Sequence, residues 1–119
     1  MVFINMAGNR GITEAIELVK EAVSSLGSSV ELNSEIRHMQ DGAGMCMMVF
    51  EKYFWRNNNY TSLTVAVTGD SEASFVDAVG SGGGEGLLNF SWGSEEDFVD
   101  RFADEMEAAG FEKIPGEMM

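Results

Sequence analysis

The sequence predicts an α+β fold: an antiparallel β-sheet meander of four to five strands, packed on one face by an N-terminal and a C-terminal helix in two layers. Three observations predict it. Residues 13–26 and 94–109 repeat apolar side chains at offsets of three and four, the period of a helix with one buried stripe. Between them, short runs alternate apolar and polar residues, as strands with one covered face do. Those runs are separated by Gly, Asn and Asp clusters short enough for hairpin turns. A length of 119 residues supports one two-layer core, so residues 1–119 are read as a single domain with 110–119 as a loose C-terminal tail.

Residues 1–6 form a short apolar segment, read as a terminal strand that Gly8-Asn9-Arg10-Gly11 ends. The first helix places Ile16, Val19, Val23 and Leu26 on one side and Glu14, Glu17, Lys20 and Glu21 on the other. Thr13 is read as its N-cap and Gly27 as its C-terminal stop. Residues 28–40 alternate imperfectly and carry Glu31, Glu35 and Arg37, charges that suit an edge strand.

Asp41-Gly42-Ala43-Gly44 is a turn, and residues 45–55 follow as the most apolar stretch. Its first six residues are apolar on both faces of a strand, which calls for cover on both sides or for pairing with another subunit. A hairpin at Arg56-Asn57-Asn58-Asn59 leads to residues 60–68, with Leu63, Val65 and Val67 inward and Ser62, Thr64 and Thr68 outward. Residues 73–79 and 87–92 are read as further strands, joined by the glycine-rich run 80–86. The second helix starts at Ser94 as N-cap with Asp97 three residues on, buries Phe98, Val99, Phe102, Met106 and Ala109, and stops at Gly110.

Composition narrows the function classes. Twenty acidic against seven basic residues give a net charge of −13, which repels nucleic acid and anionic lipid, so direct nucleic-acid binding and membrane binding are not expected. No apolar run approaches a membrane span and the first ten residues lack a signal-peptide pattern, so the expected compartment is the cytoplasm. The single cysteine, Cys46, can form no internal disulfide, and its Met neighbours place it in a core. His38, the only histidine, has no second ligand or nucleophile marked as its neighbour. No oxygen-rich calcium loop is present. No catalytic residue, metal ligand or cofactor is assigned, and whether the protein is an enzyme is left open, with non-catalytic roles favoured.

One polar and aromatic group does suggest a ligand site. Tyr53, Trp55, Arg56 and Tyr60 surround one hairpin, and Ser81, Gly82, Gly83, Gly84 and Trp92 belong to the other loop. If both loops lie at one end of the sheet, Arg56 and the glycine N–H groups can hold an anion while the rings stack on a base-like moiety. The glycine run lacks the Lys-Ser/Thr ending of a nucleotide-phosphate loop, and a flexible or bulged hairpin connection is the favoured reading of it.

Residues 49–56 (VFEKYFWR), 62–65 (SLTV), 80–84 (GSGGG), 89–93 (NFSWG) and 96–98 (EDF) together resemble a family of small bacterial proteins, mostly from Firmicutes, classed as a domain of unknown function. The resemblance covers about half the chain, residues 49–102, and implies a bacterial or phage-borne cytoplasmic α+β protein without assigned activity. The expected function is a non-catalytic binding or regulatory module acting through an open sheet face and loops. It is expected to form a homo-oligomer, a dimer being favoured, and to meet a protein partner. Two alternatives stand beside it: a binder of an anionic or nucleotide-like small ligand at the glycine run, and an acidic decoy that imitates nucleic acid for a basic partner.

Overall fold

The computed structural model describes residues 2–54, 58–82 and 94–115. In chain order the elements are β1 (Val2–Gly8), α1 (Ile12–Ser24), β2 (Val30–Gln40), β3 (Ala43–Phe54), β4 (Asn59–Gly69), β5 (Ser74–Gly82), α2 (Ser94–Ala108) and β6 (Glu112–Lys113). All six strands join one antiparallel sheet in the order β2-β3-β4-β5-β1-β6. The α+β class is as the periodicities predict, with six strands where four or five were expected. The strands β2 to β5 are the expected meander. The expected strand at the chain terminus is β1, and it lies inside the sheet, between β5 and β6.

Both helices lie on one face. From α1, Ile12, Ala15, Ile16, Val19, Ala22 and Val23 are buried, and from α2, Phe98, Val99, Phe102, Ala103 and Met106. Beneath them the strands contribute Met6, Cys46, Met48, Phe50, Leu63, Val65, Val67, Val76 and Ala78 to the same core. Alternate residues of those strands therefore point to the opposite face, which no described element covers.

The apolar strand β3 is resolved into two faces by this arrangement. Cys46, Met48 and Phe50 are buried under the helices, whereas Met45, Met47 and Val49 on the other side are half-buried. Burial pushes the Cys46 thiol up from its ordinary range, which keeps it protonated and unreactive. His38 pairs with Met45 and Arg37 with Cys46 across the β2–β3 ladder. The histidine and the thiol thus emerge on opposite faces and form no nucleophile–base pair.

Two element ends differ from the sequence reading. The N-cap of α1 is Gly11, not Thr13, and no side chain caps it. Instead, the Ile12 N–H donates to the Asp70 carbonyl at 2.7 Å, so the β4–β5 turn satisfies a helix-end donor. Strand β5 continues through Gly80 and Ser81 to Gly82, three residues into the glycine run. Its pairing explains why: Gly80 sits between Val2 and Leu63, and Ser81 opposite Ser62, so the neighbours continue the ladder. The expected strand over 87–92 lies outside the described residues, and so does the side chain on which the Ser94 cap rests, although α2 does begin at Ser94.

The supposed tail is anchored as far as Ile114. Gly110, at φ +101°, is followed by Phe111, whose N–H donates to Met106 at 3.0 Å while the Gly110 N–H donates to Glu107 at 3.0 Å. That is the Schellman ending, in which a left-handed glycine turns the last carbonyls back onto the chain. Phe111 is 2% exposed, and Glu112–Lys113 then pair with Ala7 and Met6.

At the other edge, β2 is tied to α1 by charge. Lys20 Nζ lies 2.8 Å from one oxygen of Glu35 and Arg37 Nη2 2.7 Å from the other. The hydrogen bond from Lys20, then that from Arg37, holds the Glu35 carboxyl below its ordinary value of 4.5. In the β4–β5 turn, the N–H groups of Glu72 and Ala73 hold Asp70 below its ordinary 3.8 in the same way. A lowered folded-state carboxyl contributes stability above its ordinary value, and that contribution is lost as pH falls through the lowered one. Urea titrations at a series of pH values are expected to show stability declining below about pH 4.5. Glu35→Gln should flatten the upper part of that decline, by at most about 1 kcal/mol for ion pairs of this exposure.

Candidate functional site

The uncovered face has a pattern set by strand register. Reading across β2, β3, β4, β5 and β1, one row is His38, Met45, Thr68, Phe75 and Ala7; the next is Ile36, Met47, Ala66, Asp77 and Asn5; the next is Ser34, Val49, Thr64, Val79 and Phe3. Phe3, Ile36 and Phe75 are respectively 45%, 48% and 51% exposed, high values for large apolar side chains. The one carboxylate in these rows, Asp77, accepts a hydrogen bond from Asn5 Nδ2 at 2.6 Å.

The face becomes polar at one end. A fourth row brings Glu31, Glu51, Ser62 and Ser81 into line, and beyond it Tyr53 pairs with Tyr60. The two tyrosine rings meet edge to face at 5.1 Å between centroids. Ser62 and Ser81 share a hydrogen bond of 3.2 Å between hydroxyls. A cavity of about 370 Å³ is lined here by Ser29, Glu31, Glu51, Tyr53 and Tyr60.

A β-bulge makes this row. Leu32 pairs with Phe50 and Ser34 with Val49, so Asn33 is an extra residue in β2. One inserted residue inverts the faces of everything before it. Without it Glu31 would point toward the helices; with it, Glu31 stands directly opposite Glu51 on the uncovered face. The Asn33 side-chain amide donates to Glu51. Ser29 Oγ donates to the Tyr53 carbonyl at 3.2 Å and Tyr53 Oη to Asn58, which fixes the surroundings of the cavity.

Of the residues singled out by sequence, the structure describes Tyr53, Tyr60, Ser81 and Gly82, and places all of them at this end of the sheet. Gly82 pairs with Thr61, next to Tyr60. Trp55, Arg56, Gly83, Gly84 and Trp92 lie outside the described residues. Sequence reasoning missed Glu31 and Glu51, whose opposition depends on the bulge. Lys52, by contrast, belongs to the helix side, where its Nζ donates to the Leu26 carbonyl at 2.6 Å and burial lowers its pKa.

A second hollow, of about 440 Å³, lies at the opposite end between the β4–β5 turn and the ends of β1 and α2, and its lining includes Asn9, Asp70, Ser74, Phe75 and Glu112. Its polar groups serve the fold: Asp70 holds its own turn, and Ser74 Oγ donates to the Arg10 carbonyl at 2.8 Å. Among the described residues no group of three or more His, Cys, Asp or Glu side chains is placed to hold a metal ion. Among them, too, no helix is long and apolar enough to cross a membrane.

Comparison with curated proteins gives no significant match. The model of a family of unknown function, DUF6054, matches residues 1–110, and the chain belongs to that family.

Proposed function

We propose that this member of a family of unknown function is a non-catalytic binding module that works as a homodimer, two copies meeting through their uncovered sheet faces. The observation that carries the reading is the set of apolar side chains in three successive rows of the uncovered face, Ile36, Met45, Met47 and Val49 on β2 and β3 and Phe3, Phe75 and Val79 on β1 and β5, backed by a complete core on the other side of the same sheet. Water against these side chains is unfavourable by about 25 cal/mol per Å² of apolar surface.

Size and charge favour a second copy as the occupant. Five strands at about 4.8 Å spacing carrying three apolar rows about 7 Å apart give an apolar patch of roughly 500 Å², the larger part of the roughly 800 Å² per partner of stable interfaces, whose rims are polar. The acidic side chains of the helices, such as Glu14, Glu17, Asp100, Asp104 and Glu107, lie on the other side of the sheet from this face. Face-to-face packing of two sheets would hold them apart by more than the Debye length of about 8 Å at physiological salt.

The test is mass in solution by light scattering coupled to gel filtration. The wild type is expected to show twice the chain mass at micromolar concentration. Ile36→Lys and Phe75→Lys, which place a charge on the apolar rows at β2 and at β5, are expected to give monomers that stay folded by circular dichroism. Asp77→Asn, which removes the only carboxylate of the apolar rows, should tighten association. A monomeric wild type across the accessible concentration range removes the reading.

A further inference from the structure

The structure assigns a second property to the polar end of the uncovered face: the hollow between Glu31, Glu51, Tyr53 and Tyr60 binds an alkylammonium group. Four features of the described residues converge on that chemistry. Glu31 and Glu51 are directly opposed in the β2–β3 register on the same face, an arrangement that destabilises a sheet when both are ionised. Among the described residues, no ion pair reaches either carboxylate. The Asn33 amide donates to Glu51 and so neutralises none of the charge. The pair is there because the Asn33 bulge turned Glu31 to this side, and bulges recur where a side chain is re-aimed for use.

The aromatic half completes the site. Tyr53 and Tyr60 form an edge-to-face pair at the wall of a cavity of about 370 Å³, with Tyr60 57% exposed. Ring faces attract cations through their quadrupole, and best where a carboxylate stands nearby to offset the charge. The hollow is large enough for a –CH₂–NH₃⁺ or –N(CH₃)₃⁺ head with its alkyl stem. A chain of net charge −13 also raises the local concentration of any cation around it. The described lining supplies acceptors and ring faces, the complement of an ammonium with its donors and positive charge.

This inference does not rest on the dimer, and its test is separate. Isothermal titration calorimetry at fixed ionic strength would compare butylammonium, tetramethylammonium and N-acetyl-lysine amide with butyrate as the anionic control. Saturable binding of the ammonium probes and none of butyrate is expected. Tighter binding of the lysine amide than of butylammonium would identify the source as a protein side chain, and the reverse order a free amine. Glu31→Gln and Glu51→Gln are each expected to weaken binding at least tenfold. Tyr60→Leu should weaken it about fivefold, with Tyr60→Phe close to wild type. Glu31→Gln relieves the opposed charges, so its melting temperature without ligand should rise, which separates lost binding from lost fold. Absence of saturable binding, binding indifferent to both Gln variants, or preference for butyrate each overturns the assignment.

Discussion

Phe111→Ala is expected to lower the free energy of unfolding by about 3–5 kcal/mol, as for other aromatic side chains removed from a core. The ring is 2% exposed and lies against Gly8, where an added Cβ would stand 2.7 Å from a ring carbon. It is therefore packed on the backbone of β1 itself, with Met106 of α2 buried alongside in the same core. Losing it leaves a cavity between helix and sheet that those two backbones cannot close. It also removes the apolar contact that accompanies the Gly110 turn, so β6 should detach. Urea unfolding gives the magnitude, and hydrogen exchange at Ile114, whose N–H donates to the Asn5 carbonyl at 2.9 Å, reports the detachment. Ile114→Ala, at a side chain 36% exposed, is the control and should cost under about 1 kcal/mol. A Phe111→Ala cost equal to the control would mean that the segment after Gly110 is the loose tail its composition suggests.

That segment shows where the sequence is legible and where it stops being so. Periodicity found both helices and the meander because each of those signals is carried by many residues over a long stretch. The edge position of β2 was legible in Glu31, Glu35 and Arg37, since charges along a strand discourage pairing at an edge and are costly inside a sheet. A two-residue strand has no period to detect. Its local clue was Gly110-Phe111, a glycine followed by a large apolar residue at a helix end, which is the composition of a Schellman turn. The extension of β5 into Gly80-Ser81-Gly82 was hidden for the opposite reason: glycine carries no strand signal, and the pairing with β1 and β4 overrides its preference.

The site was half legible. Tyr53 and Tyr60 flank a predicted hairpin, so their proximity follows from the turn alone. Whether Ser81 shares that end depends on β5 pairing with β4, which the meander implies. The carboxylates could not be reached this way. Glu31 and Glu51 are 20 positions apart, and whether they face each other or opposite sides of the sheet turns on one inserted residue at Asn33. A bulge is set by the whole ladder on either side of it, so no local pattern in residues 30–34 announces it.

The β2–β3 ladder itself depends on one glycine, and Gly44→Ala is expected to cost roughly 3 kcal/mol or more. Asp41 and Gly42, at φ +54° and +80°, make the two-residue turn, and the Asp-Gly pair is suited to it. Gly44 lies beyond the turn, in β3, at φ +155°. A Cβ there would stand 2.0 Å from the His38 carbonyl oxygen and 2.9 Å from Met39 Cα. Both are backbone atoms of the paired strand, so no rotamer change relieves the contact and the strands must part. At Gly42 the nearest atom to an added Cβ is Ser71 Cβ at 3.9 Å, which leaves only the left-handed backbone penalty of about 1 kcal/mol. Equilibrium unfolding of the two Ala variants should therefore differ by about 2 kcal/mol or more, with Gly44→Ala the less stable. Amide exchange should rise around Met39 and Met45 in Gly44→Ala and stay unchanged at the far end of the ladder, where Val30 pairs with Lys52. Equal costs at the two positions would mean that conformational freedom, not the close approach of two backbones, is what glycine contributes at this corner of the sheet.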